Sequence, residues 1–140
     1  MIILDTNVVA EPMKPKGSPR VQSWLDEQAV ETLYLTATSL SELLVGIEVQ
    51  PDGKRKKGLN AALSELIVSL FGSRILPFDQ KAALAYAPLV SRARSSGRLL
   101  SVADGQIAAI AVVHGFTVAT RDLAPFVAVG VPIINPWEEQ

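Results

Sequence analysis

Five short apolar runs, at 2–4, 33–36, 74–76, 117–119 and 132–134, alternate along this chain with stretches of helical spacing near 18–28, 38–49, 57–71, 80–95 and 101–114. That alternation leaves few solutions, because strands this short and this apolar line up as parallel neighbours and need the intervening helices to cover them. In 38–49, Leu40, Leu43, Leu44 and Ile47 recur at helical spacing, so one face of that helix is buried and Glu42 lies beside the stripe. Gly72, Gly97 and Gly115 stand where helices should stop, and Gln50-Pro51-Asp52-Gly53 reads as a turn rather than a domain linker. At 140 residues the chain is long enough to bury close to ~70% of the surface its unfolded form exposes. No repeat or composition shift divides it, so a single domain over 1–140 is expected.

Four acids fall at the places where such a sheet brings its loops together: Asp5 after Ile2-Ile3-Leu4, Asp122 just past the run 117–120, and Glu42 and Asp104 each three residues into an expected helix. If the strands are parallel neighbours, all four meet at their carboxyl ends, where open α/β sheets place their ligands. Two carboxylates about 4 Å apart repel by roughly 4 kcal/mol at an effective dielectric near 20, a cost that a cation would remove.

Each acid also has an ordinary structural reading. Asp5 can end a strand and bond the next turn through Thr6 and Asn7. Ser39-Leu40-Ser41-Glu42 has the form of a capping box, and Ser101-Val102-Ala103-Asp104 its acidic relative. The convergence of four acids on one edge carries more than any one of them, and the sequence offers no rival apparatus. His114 is the single histidine and sits at an expected helix end, which disfavours a serine hydrolase. The chain lacks cysteine and shows no glycine pattern for a nucleotide.

Oxygen ligands alone select hard ions such as Mg²⁺ or Mn²⁺. Phosphodiester cleavage suits such a set, because a divalent ion activates water and neutralises charge growing on the phosphoryl oxygens. Thr6, Asn7 and Thr120 are the polar neighbours available to orient a ligand or water, and each is also an ordinary turn residue.

A net charge of −1 gives no global pull on a polyanion, so nucleic acid would have to be held locally. Lys54-Arg55-Lys56-Lys57 is the densest basic run and opens an expected helix, where the macrodipole disfavours cations; it suits a phosphate or acidic partner as well as a solvated surface. Arg92, Arg94 and Arg98 can stabilise a helix end or contact an RNA backbone. Trp24 and Trp137 lie in apolar contexts that favour packing over base stacking. Mean hydropathy of +0.28 is high for a small soluble monomer, and burial against another copy or a partner would explain it. The opening residues contain no signal peptide or membrane span, so a soluble cytoplasmic protein is expected.

At Ile3-Leu4-Asp5-Thr6-Asn7-Val8, Ser41-Glu42-Leu43 with Gly46, 103–109, Val118-Ala119-Thr120-Arg121-Asp122 and the ending Asn135-Pro136-Trp137, the sequence resembles a PIN domain. Within that family it resembles the VapC toxins of bacterial toxin–antitoxin pairs, and among these the FitB branch, a match that Arg74-Ile75-Leu76-Pro77-Phe78-Asp79 strengthens. The resemblance implies a three-layer α/β/α fold with a central, mostly parallel sheet of about five strands. It also implies a Mg²⁺-dependent endoribonuclease, with Mn²⁺ as an alternative, whose acidic quartet is Asp5, Glu42, Asp104 and Asp122. A homodimer and a small DNA-binding antitoxin that covers the active site belong to the same expectation. Many VapC-like chains carry Thr-Arg-Asn at the fourth motif and a later Asp before Phe; here Asp122 takes the Asn place and Pro125 precedes Phe126. Two other functions compete: a PIN-like module that binds RNA or a partner without cutting, and a phosphatase with Asp5 as nucleophile. The phosphatase is weakened by Asn7, which stands where a second Asp would be required.

Overall fold

The computed structural model describes residues 1–138. In chain order these form β1 (Ile2–Leu4), α1 (Thr6–Ala10) running into a 3₁₀ turn (Glu11–Met13), α2 (Pro19–Glu27), β2 (Leu33–Thr36), α3 (Ala37–Glu48) and α4 (Lys54–Glu65). There follow β3 (Ile75–Leu76), α5 (Gln80–Ser95), α6 (Val102–His114), β4 (Thr117–Ala119), α7 (Ala124–Ala128) and β5 (Ile133–Ile134). The strands pair in the order β3-β2-β1-β4-β5, every pair parallel.

This order places the site. From β1 the chain moves outward through β2 to β3, then returns to add β4 on the other side of β1 and β5 beyond it. The loops leaving β1 and β4 therefore diverge at their carboxyl ends, which is the topological switch point where α/β sheets open a crevice. The pairing Leu4↔Ala119 puts Asp5 and Thr120 side by side just past the last rung of the ladder.

Alternation along the strands divides the core into two faces. Ile3 and Val118 point into a cluster with Leu89, Ile107, Ile110 and Phe126 from α5, α6 and α7. Leu4, Leu35 and Ala119 point the other way, against Val8, Val21, Leu43 and Phe71. The result is the expected α/β/α sandwich. Each buried side chain of Leu or Ile size contributes about 1.5–3 kcal/mol, so it is this two-sided burial that holds a sheet of two- to four-residue strands together.

Three local expectations change. The helix expected over 57–71 begins at Lys54, where Gly53 provides no side-chain cap, and its last turn, Leu66–Phe71, loosens into π geometry before Gly72 at φ 54°. Helix α3 starts at Ala37, earlier than a capping box at Ser39–Glu42 requires: Thr36 is the cap, its hydroxyl accepting from the N–H of Ser39 at 2.9 Å. Glu42 thus sits in the second turn, and the Ser39 hydroxyl is buried without a partner among the described residues. Two helices of five residues, α1 and α7, appear where loops were expected.

Candidate active site

Asp5 stands at the switch point, just past the carboxyl end of β1. It is the N-cap of α1, its Oδ1 accepting from the N–H of Thr6 at 2.7 Å, so the ordinary capping reading of this residue holds. Its second oxygen, Oδ2, accepts from the Thr120 hydroxyl at 2.8 Å, across the β1–β4 junction. Asp5 is 5% exposed. Burial pushes its pKa up to about 6 against the two hydrogen bonds, and the negative charges of Asp104 and Glu42 push the same way.

Thr120 fixes the direction of that bond. Its oxygen accepts from the N–H of Asp122 at 3.1 Å and from Nδ2 of Asn7 at 3.4 Å. With both acceptor positions used, the hydroxyl proton is left to point at Asp5. Asn7 completes the tie between the two loops, its Oδ1 accepting from the N–H of Arg121 at 3.3 Å.

The other three acids come from separate elements. Glu42, exposed on α3, takes a 2.7 Å hydrogen bond from the Thr6 hydroxyl. Asp104 is the third residue of α6, where Ser101 caps the helix by accepting from the Asp104 N–H at 3.1 Å, as the sequence pattern indicated. Burial raises the Asp104 pKa, and Asp122 and Glu42 raise it further, while Arg98 opposes them. Asp122 is exposed on the loop after β4. Asp104 thus links the set: its charge acts on Asp5, and those of Asp122 and Glu42 act on it.

This donor set fits a hard divalent cation. All the acids are oxygen donors, Asp5 and Asp104 are pushed toward protonation by burial and by neighbouring carboxylates, Asp104 and Glu42 acting on Asp5 and Asp122 and Glu42 on Asp104, and a positive charge would relieve both effects. Among the described residues, however, no three acidic or histidine side chains stand close enough to share one ion as they are placed. Like charges spread apart, and Glu42 is drawn to Thr6; a cation is what would gather them.

The basic candidates separate. Arg98 borders the site, near Asp104 and facing Leu123 across a cleft between the α5–α6 and β4–α7 loops. Arg55 lines a groove with Thr6 and Glu42, whereas Lys54 shares a neighbouring hollow with Pro12 and Met13. Arg92 donates to the carbonyl of Val129 at 3.1 Å and ties α5 to the end of α7; Arg94 lies exposed near the end of α5. Lys56 is held by the Glu48 carbonyl and Asp52. His114 ends α6 and lies against Phe116, its ring centroid 5.3 Å away. Trp24 is buried, in keeping with packing. Arg121, which sequence reasoning treated only as part of a motif, stands over the Trp137 ring beside the acids; no spacing signal links residues 121 and 137.

The PIN domain family model matches residues 2–131. A VapC ribonuclease of Sinorhizobium fredii is 47% identical over 138 residues, covering 99% of both chains. Toxin FitB of Neisseria gonorrhoeae is 45% identical over 139 residues, covering 99% of this chain and 100% of the relative. A solved FitAB complex bound to an IR36 DNA fragment superposes with a TM-score of 0.95 at 43% identity, covering 100% of this chain and 98% of that one.

Proposed function

This chain belongs to the PIN-domain family, and on that premise we propose that it is the ribonuclease toxin of a type II toxin–antitoxin pair. Asp5, Glu42, Asp104 and Asp122 are its catalytic and metal-holding acids. The observation that carries this reading is the buried Asp5 at the switch point, wired to Thr6 and Thr120 and placed within the field of its acidic neighbours.

When bound, Mg²⁺ or Mn²⁺ would stabilise charge on the phosphoryl oxygens and make a water nucleophilic near neutral pH, giving a 3′-hydroxyl and a 5′-phosphate. The chain's own contribution is rigid placement. Thr120 and the Thr6 N–H hold both Asp5 oxygens, the Thr6 hydroxyl aims Glu42, and the Ser101 cap fixes the first turn that carries Asp104. Asn7 locks the Asp122 loop to the Asp5 loop. Arg98 and Arg55 border the acids and would meet RNA at the site's edge, with Lys54, Arg92 and Arg94 further along the surface.

Other parts of the reading follow from the same premise. A small DNA-binding antitoxin would cover the acids, as suits similarity to a FitAB complex on DNA. Leu44, which helical spacing assigns to the buried stripe of α3 but which falls outside it, Val45 on the same helix and Val49 at its C-cap are 47%, 61% and 73% exposed and support a second copy as a neighbour. Action on cellular RNA would place the protein in the cytoplasm; no described helix is long and apolar enough to cross a membrane. Residues 1–140 act as one domain.

Incubating the purified protein with total cellular RNA and Mg²⁺ or Mn²⁺, then mapping new 5′ ends, tests the activity. Cleavage by the wild type and none by Asp5→Asn is expected; equal cutting by the two, with contaminating nuclease excluded, would refute the assignment. One competing reading is a PIN-like module that binds without cutting, which the presence of all four acids disfavours. Calorimetric titration with Mn²⁺ separates the two, since such a module has no need to take up millimolar metal.

A further inference from the structure

Two motifs from the sequence keep a residue without a role in the acid site: Arg121 in Thr120-Arg121-Asp122 and Trp137 in Asn135-Pro136-Trp137. The fold brings them together, with the Arg121 guanidinium carbon 5.2 Å from the centroid of the Trp137 ring. Trp137 is a firm support, because its side chain packs against the core cluster on the α1–α4 side of the sheet and its backbone N–H donates to Asn135 Oδ1 at 3.0 Å. The other end of Arg121 is anchored too, through its backbone N–H to Asn7 Oδ1.

A guanidinium held over an aromatic ring by cation–π attraction spends none of its N–H donors as hydrogen bonds to that ring, so they remain able to grip a phosphate two at a time. Arg121 is exposed, and among the described residues it forms no ion pair. Glu11 is the acid that senses its charge, but that carboxylate is already engaged by Lys14 at 3.1 Å and by the Ser18 N–H at 3.1 Å. The residues on either side of Arg121 are Thr120, bonded to Asp5, and Asp122. A cation is therefore held, with free donors, at the rim of an acid cluster that by itself repels RNA.

We propose that Arg121, braced on Trp137, is a substrate-binding residue that takes a backbone phosphate adjacent to the one being cleaved, and that Trp137 acts through it as a positioning residue. This rests on the ribonuclease reading given above. The phosphate contact is independent of base identity, so it sets affinity and register rather than sequence preference.

The test is binding of a short fluorescein-labelled single-stranded RNA by the full chain with Ca²⁺ in place of Mg²⁺, followed by anisotropy across a salt series. Arg121→Ala should weaken binding about ten-fold and lower the salt slope by about one phosphate contact. Arg121→Lys should recover part of the affinity, and Trp137→Leu should lose about three-fold, while Mn²⁺ affinity and melting temperature of Arg121→Ala stay at the wild-type values. An Arg121→Ala protein with wild-type RNA affinity and salt slope overturns the proposal, as does one that loses Mn²⁺ binding and thermal stability together with RNA. If the wild type cuts cellular RNA and Arg121→Ala binds unchanged, the Arg121 assignment alone fails. If the wild type neither cuts nor binds RNA, the ribonuclease reading fails and the proposal with it.

Discussion

Asp5 shows how one residue serves folding and chemistry at a cost. Its folded pKa of about 6 lies above the ordinary carboxylate value, so between about pH 4 and 6 the folded state binds more protons than the unfolded one. Stability of the metal-free protein therefore falls as pH rises through that window, by about 3 kcal/mol in all from this group. Asp5→Asn removes the charge but loses one hydrogen bond to Thr120, so it should raise metal-free stability at pH 7 by about 1–2 kcal/mol while abolishing cleavage. Urea denaturation at pH 5 and pH 7.5 checks this: the variant's advantage must be larger at the higher pH, and an advantage equal at both would contradict the burial argument. Thr120→Val should act in the opposite direction. Without the hydroxyl donor the carboxylate loses support, and Mn²⁺ titrated at pH 6.5 should bind about ten-fold more weakly, the difference shrinking at pH 8.

At the scale of elements, helix starts decide where the acids stand. Ser101 holds the first turn of α6, and Ser101→Ala should cost about 1 kcal/mol in chemical denaturation and loosen Asp104, with a larger fall in activity than the stability loss alone explains. Gly105, next to Asp104, lets α6 close on α5: a Cβ there would come within 2.7 Å of the Tyr86 ring, itself set edge-on to Phe78. Gly105→Ala should accordingly be net destabilising by about 1 kcal/mol, the overpacking outweighing the gain in helix propensity, and trimming Tyr86 to Leu should reverse the sign. The strands 2–4, 33–36 and 117–119 and the helix 80–95 were legible at their observed bounds, because each is a continuous apolar or periodic run closed by a clear stop. Helices α1 and α7 were not. Five residues are too few to hold a helix by propensity, and each exists because it buries residues, Val8 and Val9 in one case and Pro125 and Phe126 in the other. The start of α3 was misplaced because Thr36 outcompetes Ser39 for the cap, a choice made by how β2 delivers the chain.

For the whole molecule, a cation that binds only the folded state should stabilise it by mass action. At Mn²⁺ about ten times its dissociation constant the gain is roughly 1.4 kcal/mol, a rise of about 5 °C in melting temperature for a domain of this size. The rise should be small at pH 5, where Asp5 is mostly protonated, and grow toward pH 8; Asp5→Asn should show little of it. Scanning fluorimetry in Mn²⁺ against EDTA reads this directly, and a pH-independent shift would point to ions bound elsewhere.

The sequence by itself determined the alternation of strand and helix, and with it the parallel sheet, and it singled out the four acids, because periodicity and strand-end position are local properties of the chain. Only the tertiary structure decided how those acids are held. The bonds from Thr120 to Asp5, from Thr6 to Glu42 and from Asn7 to the Arg121 loop span 115, 36 and 114 positions respectively, and the seat of Arg121 on Trp137 depends on how two loop ends fold back across β4 and β5. Spacing along a chain carries no signal for pairs like these, since they are set by strand order and by which face of the sheet each helix covers.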